Sequence, residues 1–401
     1  MLNKKIKLDK IYQYLLILLS FLSILTVFGA NLIIVIIVLI WLFSGDYKSK
    51  YTEIISNKFL VASILFFCLH LLGLLWTEDL KWGLHIVHKM WYFLLLIPVL
   101  HSIVNRKYIR HYIYSFLLAI AITEVFSYLI WFEIIAPFKD ATVSNPTPFM
   151  SHLSWNPILT IAIYIVCHEI FFNKNLSKLN FYFYSFFAMT MSINMFITGG
   201  RSGQIMYFSM ITVLILQFFN TEKVKALLVI IMLLPGIFFT GYHTSNLFQE
   251  RVDEAFNTAV HHDGWAQHSS VGLRINFTLN SLDLIKENVF IGVGTGDFPR
   301  EYKRINQINT PHSPITSNPH NMYILVLTQL GLIGLISFLS IFYYQIKLSR
   351  NSSNRFIRDF GITLPVVFSI ILLGDSYLLG HYTTLVYVLF SSFLYKKFEK
   401  T

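Results

Sequence analysis

The stretch Ile11–Ser44, IYQYLLILLSFLSILTVFGANLIIVIIVLIWLFS, carries no acidic or basic side chain. A helix needs roughly 20 consecutive apolar residues to cross the hydrocarbon core of a bilayer. This stretch is long enough for two such helices, separated only by Gly29 and Ala30. We therefore predict a tight pair of membrane-spanning helices here and an all-α polytopic membrane protein as the fold class.

The whole chain has the composition of a membrane protein. Of its 401 residues, 55% are hydrophobic and 13% are charged, and the mean hydropathy is +0.59. A soluble domain carries about 25% charged residues, so an ordinary soluble protein and a disordered chain are both excluded. The net charge of +10 does not point first to nucleic acid, because membrane proteins collect Lys and Arg in their cytoplasmic loops.

Twelve stretches of the sequence are apolar and long enough to be membrane helices. They divide the chain into nine helices within residues 1–241, a long loop over 242–319 and three helices within 320–401. We place the twelve at about 11–28, 29–44, 58–76, 84–101, 111–132, 154–172, 181–198, 203–219, 224–241, 320–346, 357–375 and 379–395.

Lysine and arginine predict the orientation. With the N-terminus in the cytoplasm, the seven inner segments hold 21 of the 31 Lys and Arg residues, and their alternation with the outer segments never breaks. The positive-inside rule therefore predicts that both termini are cytoplasmic. The same segments hold six acidic residues, so their net charge is +15 and the rest of the chain contributes −5 to the total of +10.

The outer loop 242–319 is too long and too polar to be a simple connection, and long loops in compact proteins are usually functional. Part of it should be helical near 271–287, with Ser269 or Ser270 as the cap. We expect this amphipathic helix to lie on the membrane or over the mouth of the bundle. Its apolar face would consist of Ile275, Leu279, Leu282 and Ile285.

Several kinds of chemistry have no motif in the sequence. It has no GxxxxGK[ST] phosphate loop and no HExxH zinc motif, and no Asp-x-Asp pair to hold a metal–nucleotide-sugar donor. The run Gly292-Val293-Gly294-Thr295-Gly296 superficially resembles a dinucleotide loop but lacks the strand–helix context. We predict a tight turn there, where backbone approaches backbone or substrate.

Two arginines are candidate anion ligands. Arg201 lies in Thr198-Gly199-Gly200-Arg201-Ser202-Gly203, where glycines leave backbone N–H groups accessible to an anion. An interfacial anchor that snorkels to lipid headgroups is an equal alternative. Arg274 lies near the start of the predicted loop helix, where the helix dipole favours anions. Its alternative is a solvated surface arginine.

His320 is the candidate general base. It lies in Asn318-Pro319-His320-Asn321, where the long loop returns to the membrane, and histidine changes charge near neutral pH. The alternative is a polar residue at headgroup level, and His312 is a competing candidate. His261, His262 and His268 match no standard metal spacing, so solvated histidines are the simpler interpretation. Glu124 and Asp375 are candidate intramembrane acids without an assigned role.

Three blocks, in this order and spacing, resemble the O-antigen ligase family of polytopic glycosyltransferases, whose superfamily includes O-antigen polymerases. The segment Ser151-His152-Leu153-Ser154 is also similar, with less specificity. The three blocks are Thr198–Gly203, Gly272–Arg274 with Gly292–Phe298, and Pro319–Ile324 with Gln329–Leu335.

The resemblance implies a GT-C-like membrane enzyme at the periplasmic face of the bacterial inner membrane. Such an enzyme moves a glycan from an undecaprenyl-diphosphate carrier to a sugar hydroxyl of the lipid A core, with inversion and without a metal or other cofactor. Arg201 and Arg274 would hold the diphosphate, and His320 would activate the acceptor. Further candidates for supporting roles are Asn321, Gly294, Gly296, His152 and His312.

Three other functions are alternatives for this sequence. A polymerase of the same superfamily would use another lipid-linked glycan as acceptor, but the single long outer loop favours a ligase. A transporter would place charges along several helices and break helices near the midplane, whereas the candidate charges here gather at one face. A structural membrane protein would leave the three blocks unexplained.

Overall fold

The computed structural model describes residues 2–260 and 269–398. About 79% of the residues are helical. Within the described ranges there is no β-strand, and the single isolated bridge joins Thr142 to Asn145. The all-α fold class is therefore confirmed.

Eleven helices precede the long loop in the part of the chain that the structure describes. A π-helical turn, Tyr92–Leu96, joins the fifth to the sixth. The eleven are α1 (Leu2–Leu25), α2 (Val27–Phe43), α3 (Tyr47–Ser56), α4 (Lys58–Leu72), α5 (Leu80–Trp91), α6 (Ile97–Ile103), α7 (Ile109–Trp131), α8 (His152–Phe172), α9 (Lys178–Ile197), α10 (Arg201–Phe218) and α11 (Lys223–Thr244).

Six more helices follow, three of them in the loop region and three beyond it. A short 3-10 turn, Tyr377–Leu379, precedes the last. The six are α12 (Asn246–Val260), α13 (Ser270–Glu287), α14 (Phe298–Asn309), α15 (Met322–Arg350), α16 (Arg355–Ile371) and α17 (His381–Leu394).

Each of the twelve predicted membrane stretches coincides with helical structure. Seven described helical segments are long and apolar enough to cross a membrane, and one of them, Leu80–Ile103, runs through α5, the π-helical turn and α6. α2 with α3, bent by 114°, could be an eighth span. The other four stretches correspond to α9, α10, α16 and α17. The last two have only 17 and 14 residues, and every residue of α17 from Thr383 to Leu394 is buried against protein. The count of twelve thus stays a prediction.

The first helix pair divides at a different residue from the one predicted. α1 ends at Leu25, and Thr26 is extended, with φ −156° and ψ 125°. Its hydroxyl oxygen accepts a hydrogen bond from Gly29 N–H at 3.3 Å. The break therefore lies at Thr26 instead of Gly29–Ala30, because threonine caps the new helix and the two small residues fit inside its first turn.

The predicted loop helix corresponds to α13. Ser269 caps it by accepting a hydrogen bond from Gly272 N–H at 3.0 Å. Phe277, Asn280 and Leu284 are among its buried residues, on the side that packs against α14 and α15. The opposite face exposes part of the predicted apolar set, namely Ile275, Leu279 and Leu282.

The ends of α10, α15 and α16 meet on one side of the bundle. Met322 N–H donates a hydrogen bond to Leu372 O at 2.9 Å, which joins the start of α15 to the end of α16. A Cβ atom at Gly374 would lie 2.9 Å from Ser202 Oγ, so the start of α10 packs closely against the same segment. Three regions that are distant in the sequence thereby form one site.

Candidate functional site

Asp375 lies between His320 and Arg274. Its Oδ1 is 3.1 Å from His320 Nδ1, and its Oδ2 is 3.8 Å from Arg274 Nη2. Ser376 N–H also donates to Oδ1 at 2.7 Å. The Asp375 side chain is 14% exposed and that of His320 is 36% exposed. The carboxylate is therefore shielded while the imidazole remains accessible from outside.

The loop before α15 fixes the position of His320. Its φ of +53° lies in the left-handed region, which is uncommon for a residue with a side chain. Asn318 Oδ1 accepts hydrogen bonds from His320 N–H at 3.0 Å and from Ser376 Oγ–H at 2.9 Å. The Phe277 ring of α13 stacks on the imidazole, with centroids 6.0 Å apart and planes at 25°. The imidazole of His320 is thus fixed by the loop, by Asp375 and by Phe277 of α13.

The charge of Asp375 determines which ring nitrogen of neutral His320 carries the proton. α16 ends at Ile371, so Asp375 lies beyond the helix. Burial opposes its ionisation, but the hydrogen bond and charge of His320, the Ser376 N–H and Arg274 outweigh that effect and lower the pKa of Asp375. A carboxylate can only accept hydrogen bonds, so Nδ1 of a neutral His320 carries the proton and Nε2 keeps a free lone pair.

Arg201 is the first residue of α10, where a cation is opposed by the helix dipole. Its Nη1 donates to Ser270 Oγ at 3.0 Å, and its Nη2 pairs with Glu254 of α12. Its Nε is buried without a hydrogen-bond partner among the described residues. The positive charge of Arg274 also acts on Arg201. The two predicted anion ligands therefore approach each other at the starts of α10 and α13.

The glycine turn before Arg201 is shaped by close packing. A Cβ atom at Gly200 would lie 2.8 Å from both His152 O and Asn156 Nδ2. Asn145 connects the same elements, because its Oδ1 accepts from Gly199 N–H at 3.1 Å and its Nδ2 donates to His152 Nδ1 at 2.8 Å. His152 is therefore tied to the Arg201 turn through Asn145, a residue that no sequence motif marked.

Asn321 caps α15. Its side-chain oxygen accepts hydrogen bonds from Tyr323 N–H at 3.0 Å and from Ile324 N–H at 3.2 Å. It therefore supports the site by fixing the first turn of the helix that follows His320.

Gly294 and Gly296 lie outside the Asp375 cluster and pack against the connection between α4 and α5. Gly294 has φ +111°, and a Cβ atom there would lie 2.6 Å from Thr77 Oγ1. A Cβ atom at Gly296 would overlap Asp79 O. The absence of a side chain at both glycines lets the loop backbone pack closely against the connection between α4 and α5. Close approach to protein backbone was one of the two alternatives predicted for this turn, and approach to substrate was the other.

The same loop docks into a break in α15 at Gly331, which has φ +61° and ψ −159°. In a regular helix Leu332 and Ile333 N–H would bond four residues back. Here backbone groups of the loop exchange bonds with both sides of the break and give partners to two N–H and two C=O groups of α15. The four bonds are Leu332 N–H to Val289 O (2.9 Å), Ile333 N–H to Phe290 O (3.3 Å), Val293 N–H to Thr328 O (2.8 Å) and Gly294 N–H to Gln329 O (3.1 Å).

The remaining predicted candidates do not join the cluster. His312 is exposed, and Glu124 is buried in α7 with Oε1 unpaired among the described residues. His261, His262 and His268 lie outside the described residues. Within residues 2–260 and 269–398, no group of three His, Cys, Asp or Glu side chains could hold a metal ion.

Tyr377 is a neighbour of the cluster that the sequence did not suggest. It follows Asp375 by two residues and is buried, and its hydroxyl lies near the Ser202 side chain of α10. Burial raises the pKa of Tyr377 to about 12, and the nearby charge of Asp375 acts in the same direction. Tyr377 therefore offers a neutral hydroxyl beside the charged groups.

Residues 186–339 match the family model described as O-Antigen ligase. This segment belongs to the O-antigen ligase family. The match covers less than half of the chain, but it includes Arg201, Arg274 and His320, and it confirms the resemblance found from the sequence blocks. Asp375 lies beyond the matched segment. No curated protein matches the chain.

Proposed function

We propose that the protein is a glycosyltransferase that moves a glycan from undecaprenyl diphosphate to a sugar hydroxyl of the lipid A core. The observation that carries this proposal is the shared carboxylate of Asp375, which brings together the imidazole of His320 and the guanidinium of Arg274. Family membership and the apolar helices support a lipid-linked glycan as substrate. The reaction would take place at the periplasmic face of the inner membrane.

His320 would accept the proton of the attacking hydroxyl. With Nδ1–H directed to Asp375, Nε2 is the basic atom, and the carboxylate stabilises the imidazolium that forms. The acceptor oxygen bonds to the anomeric carbon while the bond from that carbon to the diphosphate oxygen breaks. The electron pair leaves with the diphosphate, and attack from the opposite side inverts the centre. A base of this kind contributes about 10²–10⁴-fold.

The two arginines would stabilise the leaving diphosphate in place of a metal ion. Each guanidinium has five N–H donors and can bind phosphate oxygens in pairs. Arg274 uses little of this capacity, since its one ion pair among the described residues is 3.8 Å long and its side chain is 32% exposed. Arg201 is the first residue of α10 and Arg274 is the fifth residue of α13. The N-terminal dipole of α10, and to a smaller extent that of α13, therefore adds to the positive potential at the diphosphate.

An apolar groove leads toward Arg201 and would hold the polyprenyl tail. It has a volume of about 610 Å³ and lies between α9, α10 and α11. Phe196 and Ile197 line it at the end of α9, directly before the glycine turn. A lipid in this groove would therefore present its diphosphate near the start of α10.

A deletion strain tests the proposal. Gel analysis of lipopolysaccharide should show a core without glycan ladder and accumulation of carrier-linked glycan, and a plasmid copy should restore the ladder. His320→Ala should fail to restore it at normal membrane expression, whereas His312→Ala, the exposed control, should succeed. A normal ladder from His320→Ala would contradict the proposed base. A core that carries a single repeat in the deletion strain would identify a polymerase.

A further inference from the structure

A second cavity lies at the end of the bundle that we predict to face the cytoplasm. It has a volume of about 650 Å³ and lies among the ends of α7, α8 and α9 and the segments 351–354 and 394–398. We call it the basic-end cavity. α16 starts beside it and ends beside Asp375, so about 25 Å of helix separates the two sites. The cavity is therefore independent of the proposed reaction.

The rim of the basic-end cavity has an excess of positive charge. Five Lys or Arg residues line it, and Glu169 is the only carboxylate among its described lining residues. Lys396 already donates to His101 O and Ser102 O and pairs with Glu53. The other four form no ion pair within the described part of the chain. These unpaired cations are Arg106, Lys107, Arg110 and Lys397.

The positive-inside rule explains basic residues at this end but not their position around one cavity. Lys174 and Lys178 are exposed at the same end and do not line it. Neighbouring like charges repel one another, so an anion that entered the cavity would relieve the repulsion. The charge distribution therefore favours a negatively charged ligand.

The deeper walls of the basic-end cavity are apolar. Ile113 and Leu117 follow Arg110 along one face of α7, and Ile165 and Val166 of α8 lie across from them. Leu117 is about 10 Å further along the helix axis than Arg110. A ligand that fills the cavity therefore needs a charged end at the rim and a hydrocarbon end inside the bundle.

We propose that the basic-end cavity binds an anionic phospholipid of the adjacent leaflet. The phosphate would lie among Arg106, Lys107, Arg110 and Lys397, and the upper acyl chain would lie against Ile113 and Leu117. Basic pockets between membrane helices bind such headgroups, and the volume suits a headgroup with part of a chain. A soluble phosphate compound would use the cations but leave the apolar walls in contact with water.

Lipid binding to the purified full-length protein tests this site. The probe is dioleoyl phosphatidylglycerol titrated into detergent micelles, with bound lipid counted by native mass spectrometry. One Lys or Arg near a membrane surface corresponds to about fivefold in binding, so Arg106→Gln with Arg110→Gln should weaken binding by roughly 25-fold. The matched control, Lys174→Gln with Lys178→Gln, should bind as the unmodified protein does.

Two further ligands separate the possible occupants. Dioleoyl phosphatidylcholine, which has the same chains but no net charge, should bind much more weakly. Glycerophosphoglycerol, the headgroup without chains, should not compete at concentrations at which the intact lipid saturates. Equal binding of the two phospholipids, equal loss in both double variants, or effective competition by the free headgroup would each overturn the proposal.

Discussion

Asp375 follows His320 by 55 residues in the chain, yet its Oδ1 lies 3.1 Å from His320 Nδ1. The aspartate comes from the segment after α16, and the histidine from the loop before α15. The bond therefore forms only when the ends of these two helices are packed together. It couples the geometry of the base to the integrity of the helix bundle.

Asp375→Asn should reduce kcat strongly with little change in KM for the donor, because an amide cannot provide the charge that stabilises the imidazolium. We expect a loss of about 10²–10⁴-fold, measured by transfer to purified core acceptor. The pH profile should also move, and Asp375→Glu should restore part of the rate. Asp283→Asn, an exposed carboxyl change on α13, is the control. A loss without any change in the pH profile would indicate a structural role alone.

Arg274→Lys should lower kcat/KM by roughly 10–100-fold, the range expected for losing a hydrogen bond to a charged group. Lysine keeps the charge but not the planar pair of donors. Arg300→Lys is the matched control, since Arg300 lies on the surface of α14 and forms an ion pair there with Glu78. Near-normal activity of Arg274→Lys in the transfer assay would remove bidentate binding from the mechanism.

Gly331→Ala should destabilise the protein. A positive φ strains a residue with a side chain by about 1–3 kcal/mol, and the added Cβ atom would overlap the backbone of Phe290. The apparent Tm in detergent should fall. Gly236→Ala is the matched control, because its Cβ atom would meet nothing within 4 Å and alanine favours the helix. If both variants melted alike, the break in α15 would not be as rigid as its hydrogen bonds indicate.

The lowered pKa of Asp375 predicts a stability effect in acid. Its carboxylate is favoured in the folded state, so it contributes stability above the unfolded pKa of about 3.9. That contribution is lost as the pH falls through the lower folded value. The difference in Tm between the unmodified protein and Asp375→Asn should therefore shrink from pH 5 to pH 3. A difference that grows over this interval would contradict the sign.

Much of the helical architecture follows from the sequence, because charge-free stretches of sufficient length have few other stable structures. The cap at Ser269 could be predicted because Ser and its helix are adjacent in the chain. The break at Thr26 could not, since Gly29 and Ala30 looked like the weaker point. Whether α16 and α17 cross the bilayer completely depends on their neighbours, which no local pattern shows.

The site was only partly visible in the sequence. Arg201, Arg274 and His320 stand in recognisable blocks, but the contacts of Asp375 and Asn145 depend on packing between distant segments. From Gly294 and Gly296 the sequence predicted that the loop backbone approaches either other backbone or substrate. Only the structure identifies the partners as the α4–α5 connection and the carbonyl groups of α15.

The exchange of hydrogen bonds at Gly331 divides α15 into two mechanical parts. The part that begins at Met322, beside His320, accepts hydrogen bonds from Val293 and Gly294 of the loop. The part beyond Gly331 donates to Val289 and Phe290 of the same loop and continues into the helix bundle. Amide hydrogens of Val293 and Gly294 should therefore exchange with solvent as slowly as those of the helix that they bond to. The loop and the first nine residues of α15 then behave as one rigid frame, and the reacting end of the protein is held by this frame as well as by its membrane anchors.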